Sequence, residues 1–421
     1  MKVVKGFDLA KSVLTRKVDI AGDEREASVR QILEDVRKRG DAALYEFTEK
    51  FDGVKLSSLL VQKNTIAAAY EQVDRGVVDS MRAAAERITS YHAGQKSALI
   101  RENSKGGTGW RMRPLQRVGI HVPGFTAPLP STVLMTVIPA RVAGVEEVVI
   151  ASPPQKQGSV SPLTLIAADI AGADRVFSIG GAHAIAALGF GTESIPAVDK
   201  ICGPGNIYAT LAKRLLYGTV GIDGLQGPSE VLIVVDGTAN PEYCAADFLA
   251  QAEHSSGSPV IVATSMDLAD RIHREIDSQL KALPHPDAAT ESIDKNGILC
   301  AVETVEEAIE LANLYAPEHL LLMVDRSASY VDLVRNAGCI VLGKKGTVAV
   351  GDYAAGPSHV LPTGGTARFA SPLSVLDFVK ITSVINVDEA SLKKLAPIVE
   401  TLARAEGLDA HAIAVEKRLN A

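Results

Sequence analysis

The chain has 421 residues, 47% of them hydrophobic and 22% charged, with a formal net charge of −7. That length exceeds what one hydrophobic core usually supports, so two or more domains are expected. The negative balance, with no dense Lys/Arg tract carrying interleaved aromatics, argues against nucleic-acid or anionic-membrane binding.

Met1–Asp8 is charged and lacks the apolar region of a signal peptide, and no uncharged apolar stretch is long enough to span a bilayer. A cytoplasmic enzyme is the expectation. Cys202, Cys244, Cys300 and Cys339 are far apart in mostly apolar surroundings, as buried thiols would be.

In chain order, residues 23 to 96 read as helical, with apolar positions at helical spacing from Ser28 and again from Thr65 to Gln95. From about residue 117 the pattern changes to strand, loop, helix. Short apolar runs rich in β-branched residues occur at Glu147–Ala151, Arg175–Gly180, Val198–Cys202, Val231–Asp236, Pro259–Thr264, Gly297–Val302, Leu320–Val324 and Cys339–Gly343. Such runs, separated by Ala-rich helical stretches, predict parallel sheets covered on both faces. They are too many for one small sheet, and two α/β units fit better. A Gly-rich stretch, Gly218 to Gly227, marks a crossing between them. Thr347–Val350 reads as a further strand, and Asp388 to Ala421 returns to a helical pattern.

Several short polar signatures interrupt this framework. Pro241–His254 reads as one helix capped by Asn240, with Gln251 and His254 on one face near its end. That spacing suits two ligands on one metal, but a His complementing a helix C-terminus has the same pattern. Glu318-His319 follows Pro317, which ends a helix over Thr304–Tyr315, and precedes a strand. An acid and an imidazole so placed suit an acid–base pair, or a polar turn. Asp352 and His359 lie in a Gly- and Pro-rich stretch suited to close approach of backbone to a ligand. Cys202-Gly-Pro-Gly-Asn206 and Ile179-Gly-Gly-Ala-His183 are strand-to-helix loops, each a weak phosphate-binding signal.

Taken together, these stretches resemble the histidinol dehydrogenase family. The resemblance runs from Arg117 to His411. It is most specific at Val198–Asn206, Gly227–Leu232, Ala250–His254, Ala316–Leu320, Gly351–Tyr353 and His359–Phe369. It implies a zinc- and NAD-dependent four-electron oxidation of L-histidinol to L-histidine by way of histidinal. By that resemblance Gln251, His254 and Asp352 ligate zinc, and His411 completes the site from the other subunit of a homodimer. His319 takes the alcohol proton, Glu318 activates water, and Ser229, His359 and Glu406 contact substrate together with the metal ligands.

The resemblance also implies two incomplete Rossmann-like parallel-sheet domains with helical tail segments in an intertwined homodimer. The expected division is an N-terminal tail over 1–22 and a discontinuous first domain over 23–120 and 231–373. A second domain, on the NAD side, covers 121–230, and a C-terminal helical tail over 374–421 reaches the partner. Departures cluster on the NAD side. His121 and His183 stand where the family usually has Tyr and Gln, and Phe125 replaces a usual Gly; Asn206 in the second loop matches. Protonated imidazoles there would favour an anionic group. Relatives of this family oxidise other small alcohols, including sulfopropanediol, although the retained Glu406 favours histidinol. A zinc-dependent scaffold without catalysis is opposed by the Glu318-His319 pair.

Overall fold

The structure, a computed structural model, describes residues 1–16, 24–100, 108–124, 128–254 and 256–419. Phe125 therefore lies outside the described residues. Strand β1 (Lys2–Lys5) and the helix Phe7–Leu14 open the chain, and helices Glu26–Arg39, Asp41–Asp52, Lys63–Ala69 and Arg75–Leu99 follow. After β2 (Thr108–Pro114) come β3 (Arg117–His121), β4 (Glu147–Ser152), β5 (Arg175–Ser178), β6 (Lys200–Cys202) and β7 (Gly221–Ile222). These last five form a parallel sheet in the order β5-β4-β3-β6-β7. Then come β8 (Glu230–Val235), β9 (Ser258–Ala263), β10 (Ile298–Ala301), β11 (His319–Met323) and β12 (Cys339–Leu342). With β1 they form a second parallel sheet, β1-β10-β9-β8-β11-β12.

The two sheets share one winding rule. In each, the first strand of the run lies centrally, the next two step to one side, and the last two step to the other. Each is thus half of a doubly wound fold, with a topological switch point between β3 and β6 or between β8 and β11. The expected pair of incomplete Rossmann-like units is present.

Alternation along the strands explains the layering. Val118, Ile120, Val148 and Ile150 face a core shared with helices Pro130–Ala143 and Arg75–Leu99. Val149, Ala151 and Phe177 face the opposite core, with Leu33, Leu44, Ile185 and Leu211 from four helices. In the other sheet Val231, Ile233 and Val235 face Phe248 and Ile272, whereas Leu232 and Val234 face Leu14 and Ile309. Burying each such side chain contributes roughly 1.5–3 kcal/mol, which is why both faces of both sheets stay covered.

Three expectations need correction. The helices between residues 26 and 99 pack on the five-stranded sheet, not with the strands of 231–373, because their apolar stripes (Val29, Ile32, Val36; Val78, Met81, Ile88) complete its two cores. The N-terminal segment is not a detached tail: Val3 and Val4 pair with Leu299 and Cys300, which extends the six-stranded sheet. Thr347–Val350 is not a strand. Val348–Tyr353 is a short helix in which only Val348 is buried, and Thr347 Oγ1 donates to Asp247 Oδ1 at 2.5 Å. With a single buried face, the β-branched run follows its tertiary contacts instead of its propensity.

The C-terminal segment opens with a 3-10 turn, Val375–Phe378, and continues into a strand. β13 (Val379–Ile385) pairs antiparallel with β2. Helices Glu389–Ala405 and Asp409–Leu419 follow, burying little beyond Ala396, Ala403 and Ala412. Among the described residues, no helix is long and apolar enough to cross a membrane.

Candidate active site

The amino ends of β8 and β11 carry the polar cluster. His319 opens β11, flanked in register by Val231 and Cys339. Ala316 sits in the left-handed region (φ 52°) after the helix Val305–Tyr315, and this turn with Pro317 delivers Glu318 and His319 to the sheet edge. Both are 5% exposed. Glu318 Oε2 accepts from the Glu230 backbone N–H at 2.7 Å and lies 3.8 Å from His319 Nδ1. His319 Nε2 lies 3.4 Å from Asp352 Oδ1, in the last turn of Val348–Tyr353.

Burial pushes the Glu318 carboxyl up to about 7, offset in part by His319 and by the Glu230 N–H. Burial alone would lower His319. The hydrogen bond to Asp352 and the charges of Glu318 and Asp352 more than offset it, so its pKa is raised. The pair thus holds a carboxyl that changes protonation near neutrality beside an imidazole whose proton affinity is raised, as suits proton transfer.

His359 joins the cluster from the following loop. Its Nδ1–H donates to the Asp352 carbonyl at 2.9 Å, which leaves Nε2 as an acceptor 3.3 Å from Thr132 Oγ1. Burial lowers its pKa. Thr132 starts the helix after β3, so the carboxyl edge of the five-stranded sheet meets the amino edge of the six-stranded one here. His254 is exposed beyond the helix Pro241–Ala252. Asn240 caps that helix through Glu242 N, as expected. Gln251 is 3% exposed, and among the described residues its buried side-chain nitrogen has no hydrogen-bond partner. Ser229 lies beside Glu230, and its carbonyl accepts from Ser258 N.

Gln251, His254 and Asp352 offer an amide, an imidazole and a carboxylate, donor types that suit zinc. Among the described residues, no group of three or more His, Cys, Asp or Glu is poised to hold a metal ion. Glu406 lies exposed in the turn between the two C-terminal helices, and His411 lies exposed on the second. Among the described residues, neither makes a hydrogen bond or ion pair with the Glu318–His319 cluster within the chain.

The carboxyl edge of the five-stranded sheet carries the other predicted residues. His121 ends β3, and its Nδ1–H donates to the Pro204 carbonyl at 2.8 Å in the loop after β6. A buried ion pair anchors that loop: Lys213 Nζ reaches Asp223 Oδ1 at 2.5 Å and the Gly203 carbonyl at 3.1 Å. Asn206 caps the helix Ile207–Leu216, accepting from Tyr208 N and Ala209 N. His183 lies 3.4 Å from Thr48 Oγ1 and against the rings of Phe47 and Phe51. Burial pushes His121 down to about 4 and His183 down to about 3. Both imidazoles are neutral near pH 7, so neither supplies the positive charge that anion binding asked of them.

The family model for histidinol dehydrogenase matches residues 15–419. The chain belongs to the histidinol dehydrogenase family. It is an enzyme, an oxidoreductase of histidine biosynthesis, in a family that uses NAD. It is 48% identical to histidinol dehydrogenase of Dehalococcoides mccartyi strain CBDB1, with all of both chains covered. It is also 48% identical to that of Deinococcus radiodurans, over 94% of this chain and 91% of the other. The crystal structure of histidinol dehydrogenase from Elizabethkingia anophelis superposes with a TM-score of 0.94 at 36% identity. That match covers 100% of this chain and 98% of the other.

Sequence reasoning assigned no role to Glu230, Arg16 or Thr132. Glu230 lay inside a family-like stretch, Gly227–Leu232, and that was its only signal. Arg16, 214 positions from the carboxylate it holds, gave none.

Proposed function

We propose that this chain oxidises L-histidinol to L-histidine in two successive NAD-dependent steps at the Glu318–His319 edge of the six-stranded sheet. The observation that carries the reading is the buried acid–imidazole pair, with Asp352 on the far side of the imidazole. In the first step His319, as neutral imidazole, takes the proton of the substrate hydroxyl while the hydrogen on the adjacent carbon leaves as hydride to NAD. In the second, Glu318, as carboxylate, takes a proton from the water that adds to the aldehyde. His359, fixed as a neutral acceptor by the Asp352 carbonyl, orients the substrate together with Ser229.

Gln251, His254 and Asp352 would hold zinc, which when bound orients the substrate and polarises its oxygen. His411 and Glu406 would reach the site from a second copy. Exposed Ile381, Ile385, Ile398 and Leu402 on β13 and the C-terminal helix give that copy an apolar surface to cover. NAD, the hydride acceptor when bound, would lie at the β3/β6 switch point beside His121, His183 and Asn206. The test is stoichiometry: purified protein with zinc should yield two NADH per L-histidinol consumed. No turnover at saturating zinc and NAD would overturn the reading.

A further inference from the structure

We propose that Arg16 and Glu230 are a positioning pair that holds Glu318 in place for the aldehyde step; the proposal rests on the water-activating role given to Glu318 above. Glu230 is 5% exposed, and its backbone N–H is the donor 2.7 Å from Glu318 Oε2. The direction of the Glu318 carboxylate therefore depends on the orientation of one peptide, and that peptide is held through its own side chain. Arg16 Nη1 and Nη2 clasp the two Glu230 carboxylate oxygens at 2.9 and 2.6 Å, a bidentate fork that fixes both distance and plane. Gly364 N adds a third donor to Glu230 Oε1 at 3.2 Å.

The guanidinium is itself held on two further sides. Nε donates to the Tyr315 carbonyl at 2.8 Å, and the group lies over the Tyr315 ring, 4.0 Å from its centroid. Gly365, at φ 82°, leaves the space: a Cβ there would stand 2.8 Å from Arg16 Cδ. Arg16 thus ties together the start of β8, the turn that delivers Glu318 and His319, and the loop that follows His359. It also neutralises a second carboxylate buried beside Glu318. Without it, Glu230 is a buried charge with too few donors. It would turn toward water, carrying the peptide at 230 away from Glu318. His319 keeps its contact with Asp352 and should be affected little.

The experiment compares the two half-reactions in the full-length, zinc-supplemented protein with NAD. The first hydride transfer from histidinol is followed in a single turnover, and NADH formation from supplied histidinal in the steady state. Arg16→Met should lower kcat for histidinal about tenfold or more, because small misplacement of a catalytic group is costly. The first hydride transfer and the histidinal KM should stay within about threefold. Arg16→Lys, which keeps the charge but not the fork, should fall between.

Arg16→Met with Glu230→Met replaces the ion pair by apolar side chains and should restore thermal stability. It should not restore histidinal oxidation. Recovery of histidinal oxidation along with stability would show a merely structural pair and overturn the proposal, as would equal losses in both half-reactions. Glu318→Gln is the control. If it spares histidinal oxidation, the reading of Glu318 has failed; if it abolishes it while the Arg16 variants do not, only the positioning proposal has.

Discussion

Glu318 and His319 are neighbours in sequence, and in space the Glu318 carboxylate lies 3.8 Å from His319 Nδ1 with both side chains buried. The two groups reach different atoms: Glu318 accepts from the peptide of Glu230, and His319 turns Nε2 toward Asp352. This divergence allows separate proton-transfer roles. Glu318→Gln should lower histidinal oxidation by about 10²–10⁴-fold while sparing the first hydride transfer, and His319→Asn should do the reverse. Rapid-mixing absorbance of NADH with each substrate resolves the two.

The pH dependence follows from the same pair. Glu318, pushed up to about 7 mainly by burial, loses its base form as pH falls through that value. His319, raised by Asp352 and Glu318 against the effect of burial, also protonates earlier on the way down than a free imidazole. For both, activity should be present above neutrality and decline on the acid side, approaching about tenfold per pH unit. The two titrate as a pair, so a plot of kcat/KM against pH reports shared values. A flat profile from acid to neutral pH would contradict the assignment.

Zinc and the second copy can be tested together. Chelation should abolish turnover, and zinc should restore it with one ion per chain by elemental analysis. Asp352→Ala and His411→Ala subunits should each be inactive alone. Mixed, they should regain activity, because one site in each heterodimer keeps all its ligands. No recovery in demonstrated heterodimers would remove His411 from the site.

The imidazoles at the carboxyl edge of the five-stranded sheet lead to a different expectation. Because burial holds His121 and His183 far below their ordinary values, NAD affinity should not change between about pH 6 and about pH 8. His121→Tyr with His183→Gln should alter NAD affinity without changing the histidinol KM. Titration calorimetry with NAD measures both; a rise in affinity on acidification would show that an imidazole protonates on binding.

Gly203 tests the loop after β6. Its φ is 104°, and a Cβ would stand 2.2 Å from the His121 carbonyl oxygen, which is backbone and cannot swing aside. Gly203→Ala should destabilise the protein by about 1–3 kcal/mol through strain and weaken NAD binding by displacing the loop. A thermal melt and NAD titration check it.

Much of this was legible along the chain. Apolar runs of strand length marked eight of the strands, because a strand buried on both faces must be apolar throughout. Asn240-Pro241 marked a helix start, because capping is local chemistry. Glu318-His319 was visible because its partners are adjacent. Strands β1, β2, β7 and β13 went unseen: β1 and β7 are short edge strands, and β2 and β13 pair only with each other, so little apolar signature marks them. The assignment of the helices between 26 and 99 to a sheet also went unseen, since an amphipathic stripe says that a helix is covered but not by what. Local geometry, and the residue types available for chemistry, could be read along the chain. That Arg16 clasps Glu230, that Glu230 aims Glu318, and that His121 and His183 are uncharged emerged only with the fold. Desolvation and long-range ion pairing depend on which segments meet in space, and chain order does not record that.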